Sequence, residues 1–149
     1  MNEKLKIDEI ILLLLNEGKI RGKSILQMEV FLVWKEIFKG ENMENPMFQP
    51  NFYGPYSSLL EDLIYKLIIG GYVKNIPRGE SHTTYIITEK GKSLVEKILG
   101  EKKIPDKIQE IKEKKVDWDE LTFQGLVRYI YRNYPEYTLK IGKAIEEWK

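Results

Sequence analysis

Tyr53-Gly54-Pro55-Tyr56-Ser57-Ser58-Leu59-Leu60 begins the stretch whose reading decides the fold. Gly54 suits the half-in position before a helix. Pro55 suits the first helical position, where its missing N–H is not needed and its fixed φ is already helical. Leu59, Leu60, Leu63, Ile64, Leu67 and Ile68 then recur at helical spacing and form one wide apolar stripe to about Ile69. Gly70-Gly71 ends the helix, because glycine readily takes the left-handed conformation that helix ends favour. A strand over Tyr72–Ile76, a turn at 77–82 and a strand over Thr83–Ile87 follow, supported by β-branched and aromatic content.

Upstream, the spacing predicts a helix from Asp8 to Asn16, ended by Gly18. A second helix, capped by Ser24 or Gly22, is expected to run to about Lys39. Its apolar positions run more than halfway round, so it should be buried on two sides or against a second subunit. Residues 41–52 hold two prolines and three asparagines and read as a long loop. Its Met43, Met47, Phe48 and Phe52 should fold back and plug the core; the other reading makes Phe48, Phe52, Tyr53 and Tyr56 a platform for a peptide or small ligand. Thr88 should cap a fourth helix carrying Leu94, Val95, Ile98 and Leu99. Residues 101–115 are rich in lysine and glutamate, with a thin Ile104/Ile108/Ile111 stripe. A helix should start at Asp117 or Asp119, break at Tyr134-Pro135, and be followed by a last helix from Thr138.

The composition excludes several classes. The 149 residues form one domain, or one domain with an appendage. With no cysteine there are no disulfides, thiolate metal sites or cysteine nucleophiles, and His82 alone builds no histidine cluster. Asp117-x-Asp119-Glu120 lacks the glycine and distal glutamate of a calcium loop and suits a helix start. No apolar run approaches the ~20 residues that span a bilayer, so a soluble cytoplasmic protein is expected. Lysine far outnumbers arginine, which leans toward a thermophilic source. No enzyme, cofactor or metal is implied: no nucleophile has an evident base and no glycine loop cradles phosphate.

The order helix, helix, Gly-Pro-Tyr-Ser helix, Gly-Tyr, hairpin, then Tyr85-Ile86-Ile87-Thr88-Glu89-Lys90-Gly91 resembles a winged helix-turn-helix of the PadR-like and MarR-like regulators. Ile87 stands where those families usually carry leucine. Over roughly residues 20–99, Lys23-Ser24-Ile25-Leu26-Gln27, Tyr53-Gly54-Pro55-Tyr56-Ser57, Gly71-Tyr72-Val73 and the Thr88/Gly91 run are also similar to the Panacea (SocA-like) domain. Met28 departs from the lysine usual there. The expected fold is mostly α with a small β-hairpin: a winged helix over 1–99 and a C-terminal helical extension over 100–149, a possible dimerisation element.

The resemblance implies double-stranded DNA as partner, a role in transcription regulation, and a homodimer matching two half-sites. Tyr56, Ser57, Ser58 and Lys66 would meet the groove, the first three near the helix N-terminus where phosphate is favoured. Lys19, Arg21, Lys23, Lys74 and Arg78 would meet phosphate. Glu61 and Asp62 oppose this, and the net charge of +1 offers no global attraction. The alternative is an interaction module of adaptor or antitoxin type, which the Panacea likeness also allows. It would hold a basic protein partner through the 41–56 loop and the acidic helix face.

Overall fold

The computed structural model describes residues 4–79 and 82–139, and every structural statement below concerns those residues. They are mostly helical, with two small antiparallel hairpins. Helix α1 (Ile7–Glu17) is the central element. Ile7 and every residue from Ile10 to Leu15 are buried, because α1 packs against α2 (Lys23–Leu32), α3 (Ser58–Ile69), α4 (Glu89–Glu101) and α5 (Pro105–Glu120). Each such side chain contributes roughly 1.5–3 kcal/mol by leaving water. Glu9 accepts from the Lys6 N–H at 2.9 Å and satisfies one open donor at the α1 N-terminus.

Helix α2 is buried from Leu26 onward and continues as a π turn over Val33–Ile37, closed by the Phe38 N–H on the Val33 carbonyl at 3.0 Å. The chain itself covers the apolar excess of α2, through α1, the 55–56 segment and α6 (Thr122–Asn133). Trp34 is half-buried in an aromatic cluster with Phe31 and Phe48.

The loop after α2 differs from the expectation of irregular chain. Gln49–Pro50 (β1) pairs antiparallel with Pro55–Tyr56 (β2). Pro55 is therefore a strand residue and not the first residue of a helix. The helix starts at Ser58, because the Ser57 hydroxyl accepts the Leu60 N–H at 3.1 Å and caps it. Met43 and Phe48 are buried as plugs should be, but Met47, Phe52 and Tyr53 are exposed.

Val73–Pro77 (β3) and Thr83–Ile87 (β4) form the second hairpin, in the register Val73↔Ile87 to Pro77↔Thr83. Ile20, between α1 and α2, joins it. Its N–H donates to the Tyr85 carbonyl at 3.1 Å, and the Tyr85 N–H donates to the Ile20 carbonyl at 2.8 Å. Thr88 caps α4 as expected, accepting the Gly91 N–H at 3.1 Å.

The C-terminal half corrects the expected boundaries. One helix, α5, runs from Pro105 through Glu120, so neither Asp117 nor Asp119 starts a helix. The break is at Leu121–Thr122, where Thr122 takes φ 65°. Helix α6 then runs to Asn133, and Pro135–Tyr137 forms a 3-10 turn. Ile111, Trp118, Leu126, Val127 and Ile130 join the same core as α1. Thr138 is extended and bridges to Asn51, Leu139 is not helical, and residues 140–149 of the expected last helix lie outside the described residues. No described helix is long and apolar enough to cross a membrane.

Candidate functional site

The residues expected to meet DNA separate into three settings. Ser57 is the plain correction. It is fully buried and its polar groups are all committed. Its hydroxyl donates to the Pro46 carbonyl at 2.6 Å while capping α3, and the Gln27 side chain brackets its backbone. The Ser57 N–H donates to the Gln27 Oε1 at 2.8 Å, and the Gln27 Nε2 donates to the Ser57 carbonyl at 3.0 Å. This reciprocal pair fixes the α3 N-terminus on α2, and a buried, satisfied hydroxyl cannot reach a phosphate. Tyr56 is half-buried and its hydroxyl donates to the Glu61 carboxylate. That bond holds the phenol above its usual pKa.

A groove of about 540 Å³ lies between the start of α2, α3 and the β3–β4 hairpin. Lys23 and Ser24 form one wall, Asn75 and Tyr85 another, and Glu61, Asp62 and Tyr65 the third. One lysine thus faces two carboxylates. Ser58 and Lys66 are exposed on α3. Leu59, Tyr65 and Ile69 share that helix and are 41%, 64% and 68% exposed. Arg78 is exposed at the hairpin tip, where its N–H closes the turn on the His82 carbonyl at 2.8 Å.

Lys19 and Arg21 lie elsewhere. They flank Ile20, whose side chain is buried, and both line a second cavity of about 730 Å³ together with Ile86 of β4. Lys74 pairs with Ile86 across the hairpin, and paired residues share a face, so it belongs to this side of the sheet. The far wall comes from Trp118 and Asp119 at the end of α5 and from Thr122, Phe123 and Leu126 of α6.

Behind Asp119 lies an ionic cluster that the sequence reading missed. Lys115 is 1% exposed, and its ammonium donates to both Asp119 oxygens at 3.0 and 2.8 Å. Glu29 of α2 is fully buried 3.6 Å from the same ammonium, and neither of its carboxyl oxygens has a hydrogen-bond partner among the described residues. Burial first, and the nearby Asp119 second, push the Glu29 pKa up to about 9 against the pull of Lys115. Glu29 is therefore held as a neutral acid beside the Lys115–Asp119 ion pair. The sequence did carry a signal: Ile104, Ile108, Ile111, Lys115 and Trp118 continue one helical stripe straight through a lysine.

A second carboxylate anchors the C-terminal half. Glu36 accepts from the Tyr129 and Tyr134 hydroxyls at 2.7 and 2.9 Å. Burial, with that hydrogen bond, pushes Tyr129 up to about 12 and raises Tyr134 further.

No protein-family model, no curated protein and no solved structure matches this chain.

Proposed function

We propose that this is a winged-helix DNA-binding protein acting as a transcriptional regulator, and that it grips phosphate more than it reads bases. The observation that carries the reading is the Ile20–Tyr85 bridge. With it the order becomes helix, short strand, two helices, then a two-stranded wing, the arrangement in which α3 faces DNA and the wing touches the backbone. Lys23, Lys66 and Arg78 are exposed around that face, and Lys19, Arg21 and Lys74 extend the cation set along the sheet. Glu61 and Asp62 limit base reading, and α3 has no arginine for guanine. Binding should therefore be salt-steep and sequence-tolerant, with a homodimer serving paired half-sites.

The test is anisotropy of labelled duplex DNA titrated with protein from low to physiological salt. Four or more phosphate contacts give a slope of log K against log salt near about −3.6 or steeper. The double variant K23E/R78E should bind at least about tenfold more weakly. No binding at low salt sinks the proposal. Undiminished binding by the double variant sinks these residue assignments.

A second reading has its own observation. Leu59, Tyr65 and Ile69 are exposed beside Glu61 and Asp62 on α3, and such an apolar and acidic face fits a basic protein partner. Under that reading the chain is an adaptor or antitoxin-type module, and duplex DNA does not bind at any salt.

A further inference from the structure

We propose that Lys35 is a site of N-methylation and that Trp34, Tyr134 and Tyr137 read the methylated ammonium in place. The Lys35 ammonium lies 5.1, 5.8 and 5.5 Å from the centres of those three rings. The rings come from separate parts of the chain: Trp34 from the π turn after α2, Tyr134 from the end of α6, and Tyr137 from the 3-10 turn. Phe31 sets their spacing, edge-on to Tyr134 at 5.3 Å and to Tyr137 at 4.7 Å. The Tyr134 hydroxyl is tied to Glu36, which fixes the orientation of its ring. The cage is thus placed by contacts of its own.

The surroundings of the ammonium point to its chemistry. A primary ammonium carries three N–H donors and seeks oxygen. Two other lysines lie over rings, and both also find an oxygen. Lys90 over Tyr72 donates to the Gly70 carbonyl at 2.8 Å, and Lys107 over Phe38 donates to the Ile37 carbonyl at 2.8 Å. Lys35 is half-buried among three rings and has no hydrogen-bond acceptor or ion-pair partner among the described residues. Such a setting suits a methylated ammonium better than a bare one. Each methyl group replaces a hydrated N–H with apolar surface while the charge stays, and ring faces favour that combination.

In the transfer, Lys35 first releases a proton to water. The amine lone pair then attacks the methyl carbon of a sulfonium donor of the S-adenosylmethionine class. An N–C bond forms as the S–C bond breaks, and the sulfur leaves with the bonding pair as a thioether. The flexible four-carbon stem lets the amine swing out to a methyltransferase and return. Once methylated, Lys35 holds the Pro135–Tyr137 turn more tightly, and with it the chain to Leu139.

The chain has no cysteine, so Lys35→Cys supplies a single thiol. Alkylating it in the full chain with bromoethylamine restores a lysine-like primary ammonium. Bromoethyl-trimethylammonium gives the trimethylated form, and neohexyl bromide gives its neutral isostere. Hydrogen exchange is followed at the amides of Tyr137, Thr138 and Leu139, which donate to the carbonyls of Tyr134, Pro135 and Asn51. The trimethylated form should exchange there at least about fivefold more slowly than the primary ammonium, and the neutral isostere should not. Trp34→Leu removes the strongest ring and should erase the difference. If that variant also loses protection at Ile11 and Leu14 in the core, Tyr137→Leu makes the same comparison. In parallel, the chain purified from the cells that make it naturally should carry methyl mass on the fragment containing Lys35. Equal exchange in the primary and trimethylated forms, or an isostere that matches the trimethylated form, overturns the reading of the cage. A Lys35 fragment without methyl mass overturns the modification.

Discussion

Glu29 sits at 0% exposure with the Lys115 ammonium 3.6 Å away, and its proton gives the molecule a definite pH response. Unfolded, the carboxyl releases that proton near its ordinary value of 4.5; folded, it keeps it to about 9. Between those values the folded chain binds more protons than the unfolded one. The stability associated with the neutral acid is complete below pH 4.5 and is lost as pH rises toward 9, at up to about 1.4 kcal/mol per unit. Glu29→Gln keeps the shape and removes the titration. Urea unfolding across pH 5 to 9 should show the wild-type slope flattened in the variant. At pH 8 the variant should be the more stable of the two, by at least about 1 kcal/mol. An unchanged slope would mean that Glu29 is ionised in the folded state. Sequence alone gave little access to this cluster. Glu29 lies inside the apolar run Leu26–Val33, where one charge does not disturb the pattern, and its partner lies 86 positions away. The same distance problem hid Ser57: it looks like a free hydroxyl until Gln27 and Pro46 are brought to it.

At the scale of elements, the junction of the second hairpin with α4 was the most legible part of the chain. Gly71-Tyr72 and Thr88–Gly91 were read as signatures, and in the fold they touch. The Thr88 hydroxyl donates to the Gly71 carbonyl at 2.6 Å, and the Thr88 N–H donates to the Tyr72 carbonyl at 3.1 Å. The Lys90 ammonium donates to the Gly70 carbonyl at 2.8 Å and lies 4.6 Å from the Tyr72 ring centre. Gly91 is glycine because the helix passes close to this corner: a Cβ there would stand 2.4 Å from the Tyr72 carbonyl oxygen and 2.6 Å from Ile87. Gly91→Ala should cost about 1–3 kcal/mol, as overpacking against backbone does. Gly100, in the last turn of the same helix, has nothing within 4 Å. Gly100→Ala should stabilise by up to about 1 kcal/mol, because alanine loses less backbone entropy in a helix. Chemical denaturation of the two variants checks both signs, and equal effects would show that helix propensity and not the close approach decides. Less legible was the chain from 41 to 57, where Pro55 fits either a helix start or an edge strand. The pairing of Pro55–Tyr56 with Gln49–Pro50 chose the strand, and local sequence cannot supply that choice.

For the whole molecule, the question is whether the C-terminal helices are an appendage to the first 99 residues. A change of composition near Gly100 suggests a boundary, since residues 101–115 are dominated by lysine and glutamate. Burial argues otherwise. Ile111 and Trp118 of α5 and Leu126, Val127 and Ile130 of α6 lie in one cluster with α1 and α2. Polar ties cross the same divide: the Lys107 ammonium donates to the Ile37 carbonyl at 2.8 Å, and Glu36 holds Tyr129 and Tyr134. The chain beyond α6 reaches back to the loop before α3, where the Leu139 N–H donates to the Asn51 carbonyl at 2.9 Å. A charged outer face therefore disguised a helix whose inner face is core. Removing α5 and α6 would open the walls of α1 and α2 to water, so each half is expected to lose its stable fold without the other. Thermal unfolding should then be a single transition, with calorimetric and van't Hoff enthalpies equal and with fluorescence and far-ultraviolet dichroism coincident. Hydrogen exchange should protect the amides of Ile111 and Leu126 to the same free energy as those of Ile11 and Leu14. A separate early transition, or weaker protection of α5 and α6, would make them an independent unit after all. It would also make the cavity wall formed by Trp118, Thr122 and Phe123 separable from the sheet that carries Lys19 and Arg21.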